Sequence, residues 1–194
     1  MRNKLAAVAM ILVMIAQSGC IFEPREPEKP TTGDQYPWVT PNNPKDVFLN
    51  LKSGLAANVD SNYDRSLDPT FTFIPTDQDL TNLGADKFAN WTKAVELSWL
   101  ATVKTIYPGT RTFQFGDANG NFGYEDIETG KATFEGVYAM TLDRGGAGAK
   151  EVYAGTARFV IVRGSTGWVL TEWTDLASNG TEPTSGYLRG TLRQ

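Results

Sequence analysis

Residues 151–174 read EVYAGTARFVIVRGSTGWVLTEWT, and the topology of the chain can be traced from them. Tyr153, Ala157, Phe159 and Ile161 fall on one side of an extended segment, and Val152, Val160 and Val162 on the other. Residues 151–163 therefore predict a long strand. Gly164-Ser165-Thr166-Gly167 supplies a tight turn, and residues 168–174 return as an antiparallel partner. Simple alternation puts Trp168, Leu170 and Glu172 on a shared face. Upstream, residues 131–142 form another long strand, with Ala132, Phe134, Tyr138, Met140 and Leu142 on one side. The segment DRGGAGAK at 143–150 is its flexible hairpin loop. A short alternating piece at 110–115 precedes this three-stranded meander.

The first part of the domain has the other period. Asn43-Pro44-Lys45-Asp46 is a helix start, with Asn as N-cap, Pro at the first helical position and an acid in the first turn. Phe48, Leu51, Leu55 and Val59 follow at three- and four-residue steps and mark one buried face. A short helix is expected over 61–67 with Tyr63 and Leu67 inward, ended by Asp68-Pro69, and a strand at 70–74. Residues 75–84 read as a polar loop. Residues 88–106 predict a long helix, its first turn starting either there or at Thr92, with Trp91, Val95, Leu97, Trp99, Leu100 and Val103 supplying its apolar surface. Pro108-Gly109 ends it. Beyond Ala177 the chain is polar and rich in turn residues, with Tyr187, Leu188 and Leu192 expected to pin it to the body. Helices first and an antiparallel meander after them predict an α+β domain.

Several segments also carry a resemblance. They are Pro44-Lys45-Asp46-Val47 with Leu51, Tyr63 ahead of Leu67-Asp68-Pro69-Thr70-Phe71-Thr72-Phe73, and Asn90-Trp91-Thr92. To these are added Arg158-Phe159-Val160-Ile161-Val162-Arg163 and Gly167-Trp168-Val169-Leu170-Thr171-Glu172-Trp173. In this order they resemble the NTF2-like (cystatin-like, SnoaL-type) cone superfamily over residues 43–176, and within it a group of exported bacterial lipoproteins. The resemblance implies N-terminal helices packed on a curved antiparallel sheet, with an apolar cavity between them. Members range from isomerases and dehydratases to non-catalytic binding modules, so fold alone assigns no function. Trp91, Tyr138, Trp173, Phe71 and Phe73 are the candidates for lining such a cavity, where Trp and Tyr suit an apolar ligand with a polar handle. The competing expectation is that they fill the core.

The N-terminus speaks for export. Arg2 and Lys4 precede a continuous apolar run of twelve residues from 5 to 16. That run is too short to span a bilayer and fits the hydrophobic region of a secretory signal. Gln17-Ser18-Gly19-Cys20 follows and resembles a lipobox, with Gln17 where Leu is usual. The resemblance implies that residues 1–19 are removed and that Cys20, the only cysteine, carries a diacylglycerol thioether. Acyl chains, at about 0.8 kcal/mol per buried methylene, make a stable anchor when combined. Residues 20–42 then form a Pro-rich, charged tether, and 43–194 the domain. About 20 extended residues reach about 60 Å. Placement in the bacterial cell envelope follows, with the outer membrane facing the periplasm favoured where there are two membranes, because residue 21 is not Asp.

Composition narrows the chemistry. The formal net charge is −4, and losing Arg2 and Lys4 makes the mature part more acidic, which speaks against nucleic-acid binding. There is no histidine, so the commonest general base and metal ligand is missing. A carboxylate-and-tyrosine enzyme remains conceivable from Tyr138, Asp64, Glu135 and Glu172, but Glu135 and Tyr138 have opposite strand parity. Gly145-Gly146-Ala147-Gly148-Ala149 lacks the strand-to-helix setting of a phosphate loop, and no cofactor is expected. Arg158 is expected either to pair with Glu172 across the hairpin or to meet an acidic ligand. Asp117, Asn119, Asn121 and Glu128 sit at positions 1, 3, 5 and 12 of a calcium-loop template, yet Phe122 stands where that template requires Gly. The plainer expectation is an Asn/Gly-rich turn between strands.

The function expected from these features is a non-catalytic, membrane-anchored binding domain, with a small apolar ligand or an envelope protein as partner and a homodimer as a further option. The alternatives are a cofactor-free isomerase- or hydrolase-like enzyme and a structural assembly lipoprotein. Replacing the anchor tests the first half of this expectation. Cys20→Ser should move the protein from the membrane to the soluble fraction of its host, and sedimentation with membranes in spite of the change would contradict lipidation.

Overall fold

The computed structural model describes residues 36–193 apart from Asn58 and Ala147. The signal, Cys20 and residues 21–35 lie outside the described residues. From Tyr36 onward the chain forms one compact unit. Residues 36–42, counted with the tether above, rest on this unit. Asn50 donates from Nδ2 to the Val39 carbonyl at 2.7 Å and accepts from the Val39 N–H at 3.0 Å, while the Arg65 guanidinium lies 4.0 Å above the Trp38 ring.

The elements run α1 (Asp46–Ala56), α2 (Asp60–Ser66), β1 (Leu67–Ile74), α3 (Asp77–Leu83), a 3-10 turn (Ala85–Lys87), α4 (Lys93–Ile106), β2 (Arg111–Phe115), β3 (Tyr124–Ile127), β4 (Lys131–Leu142), β5 (Glu151–Gly164), β6 (Gly167–Ser178) and α5 (Ser185–Leu192). The strands form one curved sheet in the order β1-β6-β5-β4-β2, with β3 also paired to β4. β2 takes the second half of β4 and β3 the first half. The pairing is antiparallel except between β1 and β6, which run parallel, so the sheet is mixed and not wholly antiparallel as expected.

α1 starts at Asp46, with Lys45 in the cap position and no side-chain cap bond there, two residues later than the expected Asn43 cap, and residues 43–45 form a turn that leads into it. The Asn43 side chain accepts from the Lys45 N–H and Asp46 accepts from the Asn43 N–H, both at 2.9 Å, which satisfies amides that the first turn leaves open. Val47, Phe48, Leu51 and Leu55 are buried. Val59 lies past the helix end, at the cap of α2. Phe48 meets Phe115 and Phe122 with ring centroids at 4.8 Å and Phe159 at 5.2 Å, fixing the helix on the sheet.

Across the sheet, Phe73, Trp173, Phe159 and Phe134 occupy one register row over β1, β6, β5 and β4. All are buried, and such cross-strand aromatic neighbours reinforce pairing. The row requires a bulge in β6. Val160 pairs with Glu172 but Ile161 pairs with Leu170, so Thr171 is the extra residue. Beyond it the parity flips: Leu170 and Trp173 both face inward, and Glu172 does not share their face as simple alternation predicted.

Three segments differ from their expected state. Residues 75–84 contain α3, started by Thr76, whose side chain accepts from the Asp79 N–H at 3.0 Å. The strand β3 lies inside the segment read as a calcium-type loop. The polar tail folds into α5, capped in the same way by Thr184 accepting from the Tyr187 N–H at 3.0 Å. α4 begins after Thr92, the later of the two expected starts. Among the described residues no helix is long and apolar enough to cross a membrane.

Candidate functional site

The hollow of the cone is where a site is expected, and the C-terminal helix reaches into it. Arg189 of α5 is fully buried. Its Nη2 donates to Glu96 Oε1 at 2.6 Å and its Nε to Glu96 Oε2 at 2.9 Å, a bidentate pair of the strong, charge-assisted kind. Nη1 donates to Ser185 Oγ at 2.7 Å. Three rings surround the guanidinium, with centroids 4.3 Å away for Phe73 and Trp173 and 4.4 Å for Trp99. Contacts of this geometry favour a cation, most of all where water is excluded. Burial alone would lower the pKa of Arg189; the Glu96 charge and its hydrogen bonds outweigh that and hold it above the ordinary arginine value.

Glu96 is equally buried, on the face of α4 that carries Trp99, Leu100 and Val103. Besides Arg189, it accepts from Tyr63 Oη at 2.8 Å and from Trp91 Nε1 at 2.7 Å. Four donors thus fill its lone pairs, which is the condition under which a buried charge is tolerated. Burial, then the neighbouring Glu96 charge, push the Tyr63 hydroxyl pKa well up, so Tyr63 stays a neutral donor.

A second carboxylate, Asp175 of β6, holds the start of the same helix. Asp175 Oδ2 accepts from Ser185 Oγ at 2.9 Å, the Gly186 N–H at 2.8 Å and Tyr138 Oη at 3.0 Å. Oδ1 accepts from Trp173 Nε1 at 2.8 Å. Tyr138 in turn accepts from the Ser185 N–H at 2.8 Å. Burial raises the Asp175 pKa, against the pull of Arg189 and of these donors. A third, Asp79, accepts on Oδ2 from Thr76 Oγ1 at 2.8 Å and from Thr184 Oγ1 at 2.6 Å, tying the caps of α3 and α5 together. The fit is close. A Cβ on Gly186 would lie 2.7 Å from Asp79 Oδ2, and one on Gly190 would lie 2.6 Å from the Phe88 ring.

The five residues chosen from sequence as a cavity lining are therefore brought together, and all are buried. Their company is the protein itself. Phe73 and Trp173 stack on Arg189, Trp91 holds Glu96, Tyr138 and Trp173 hold Asp175, and Phe71 lies in the same core. Sequence reasoning missed Glu96, Arg189, Asp175 and Asp79. Glu96 had a readable signal, since it falls three and four residues before Trp99 and Leu100 on the apolar stripe. Tyr187, expected to pin the tail, is partly exposed, and Arg189 takes that role.

The remaining candidates lie apart. Asp64 pairs with Lys93 at 2.9 Å. Arg158 pairs with Glu135, directly opposite on β4, at 2.7 Å and not with Glu172; Glu172 accepts from Thr174 Oγ1 at 3.0 Å. In the calcium-like segment, Asp117 Oδ1 accepts from the Asn119 and Asn121 N–H groups at 2.8 and 2.9 Å. These bonds hold its pKa below the ordinary value and close an Asx-type turn. Phe122 packs on Phe48 and Phe134, Asn119 is exposed, and Glu128 follows β3 at its far end. Among the described residues no three His, Cys, Asp or Glu side chains gather as a metal site.

No family model matches the chain, and no curated protein matches it. Solved structures do. A protein of Kribbella flavida, Kfla4162, aligns with a TM-score of 0.52 at 13% identity, covering 75% of this chain and 93% of that one. A single-site variant of Rv3472 of Mycobacterium tuberculosis, described as of unknown function, aligns at 0.51 with 7% identity over 71% and 70%. An NTF2-like protein with a cystatin-like fold from Novosphingobium aromaticivorans aligns at 0.50 with 9% identity over 70% and 80%. The domain has the NTF2-like cone fold.

Two consequences are measurable. Arg189→Ala leaves Glu96 buried without its counter-charge and should cost about 3–5 kcal/mol in chemical denaturation; a loss within the range of a surface substitution would contradict the assigned role. Asp175 titrates in the unfolded chain near the ordinary 3.8 and higher in the folded one. The folded state therefore holds the extra proton. Its contribution to stability is fully present below the ordinary value and is lost as pH rises through the raised one. Unfolding free energy followed from acid to neutral pH should show this falling component in the parent chain and not in Asp175→Asn. Identical slopes in both would contradict it.

Proposed function

We propose that this chain is a lipid-anchored protein of the bacterial envelope, whose cone-fold domain is a non-catalytic module that docks an envelope protein. The observation that carries this reading is Arg189. The space a small apolar ligand or a substrate would use in such a cone is taken by a side chain of the protein's own last helix, paired bidentately and ringed by aromatics. A buried carboxylate beside Tyr138 is the arrangement that would favour a cofactor-free enzyme. Asp175 stands there, but its oxygens are spent on Trp173, Tyr138, Ser185 and Gly186, which leaves no acceptor for a substrate proton. The lack of histidine supports the same reading.

With the interior occupied, recognition falls to the surface. The outer side of the sheet presents Val137 at 38% exposure, with Tyr124 of β3, on the same face, at about half. Apolar groups that stay exposed on a well-packed domain mark interaction surfaces. The tether, with Cys20 as the anchor, would give the domain reach away from the lipid.

A photo-crosslinking amino acid at Val137, in the full chain expressed in its host, should give a discrete protein adduct in the envelope fraction. The chain from residue 20 onward, carrying Cys20→Ser and sprayed under native conditions, should show its bare mass. A stoichiometric small-molecule adduct that leaves only on unfolding would contradict the docking function and revive a ligand-filled cone.

A further inference from the structure

Between α3, the end of β6 and the start of α5 lies a solvent-open cleft of about 500 Å³, with Asp77, Asp79, Leu176, Thr181, Thr184 and Tyr187 among its walls. Asp79 is only 3% exposed, yet its carboxylate is half used. Oδ2 accepts from the Thr76 and Thr184 hydroxyls, whereas Oδ1 accepts no hydrogen bond from the described residues. Nor is Oδ1 sealed in the interior. Among the described residues, Trp99 Nε1 is the side-chain nitrogen or oxygen that is both excluded from solvent and without a partner. Oδ1 therefore keeps a contact with solvent, and the cleft is the space that Asp79 borders.

Asp79 also lacks a counter-charge. Glu96 is paired with Arg189, and Asp175 feels the pull of the same guanidinium. Among the described residues no Lys or Arg forms an ion pair with Asp79 or lines the cleft. The first turns of α3 and α5 offset part of its charge through their peptide dipoles, but they give Oδ1 no donor. A carboxylate at this depth, with one oxygen facing open space, is the complement of a cation that brings its own N–H groups. A calcium ion gathers six to eight oxygens, and the cleft has carboxylates only at Asp77 and Asp79. Leu176 and Tyr187, at 40% and 38% exposure, add an apolar wall that a bare ion does not use, while a tyrosine ring also attracts an ammonium group. We propose that this cleft binds a small primary amine in its protonated form. The ammonium donates to Asp79 Oδ1, the exposed Asp77 adds attraction, and Leu176 and Tyr187 cover the hydrocarbon.

Hexylamine, protonated at neutral pH, is the probe, with hexanol as its uncharged counterpart and calcium chloride as the bare ion. The chain from residue 20 onward with Cys20→Ser would be labelled with 15N and titrated at low salt while its amide resonances are followed. Amides of residues 77–79 and 181–187 should move in a saturable manner with hexylamine and stay still with hexanol and with calcium. Asp79→Asn keeps an oxygen for the two threonine hydroxyls and puts an N–H donor where the free oxygen was. It should weaken hexylamine binding about tenfold or more, as for loss of a hydrogen bond to a charged group, with the remaining spectrum retained. Asp77→Asn changes an exposed charge and should weaken binding by about two- to fivefold. Failure of these amides to move up to the solubility limit of hexylamine would mean that Oδ1 meets water only, and would overturn the proposal. An equal response to hexanol, a response to calcium in place of hexylamine, or full binding by Asp79→Asn would overturn it as well. Should Asp79→Asn fail to fold, the comparison of hexylamine with hexanol on the parent chain decides the matter. Val137 is not among the walls of the cleft, and none of these results bears on the crosslinking there.

Discussion

The ion pair between Arg189 and Glu96 ties the last helix to the middle of the domain. The two residues are 93 positions apart in sequence, both are without solvent exposure, and each would be costly if left alone. Pairing makes them tolerable because Tyr63 and Trp91 use the remaining lone pairs of Glu96, Ser185 takes a third N–H of the guanidinium, and three rings surround it. A buried pair of this kind adds little net stability over a hydrophobic replacement, but it is unforgiving about position. The effect is to fix one placement of α5, with the three rings of Phe73, Trp99 and Trp173 set around it.

This arrangement changes what the cone fold means here. A half-barrel closed on one side by helices leaves an interior, and a polar occupant must bring its own counter-charges. The chain provides the occupant and the counter-charges together: Glu96 for the guanidinium, Asp175 for the first turn of α5, and Asp79 for its cap. Gly186 and Gly190 allow the helix to come as close as these bonds require. In the function proposed above, recognition falls to the outside of the sheet, a surface that the interior network holds in shape.

Much of the fold was legible because burial and period coincide. The stripe of Phe48, Leu51 and Leu55 and the alternation along β4 and β5 each leave an unmixed pattern. β3 could not be read, since its four residues are all exposed and neither face carries a hydrophobic signal. α3 has apolar residues only at Leu80 and Leu83, and its start is set by one Thr–Asp pair at 76 and 79. α5 is rich in Ser, Gly and Arg, and its buried face is polar because its partners are carboxylates on distant elements. The bulge at Thr171 moved Glu172 off the face where alternation placed it, a shift that depends on the partner strand. Of the interior site, the aromatic half was visible and the charged half was not. Pattern reading treats Glu and Arg as surface residues, and their pairing appears only when the fold brings α4 and α5 together.

Native-state hydrogen exchange tests the central claim most directly. If α5 is a built-in part of the interior, the amides of Leu188 and Arg189 should exchange only through global unfolding, with the same opening free energy as core amides such as Phe159 in β5. Exchange of the α5 amides through a separate opening, well below the free energy of the sheet, would contradict this and make the helix a displaceable lid over a cavity.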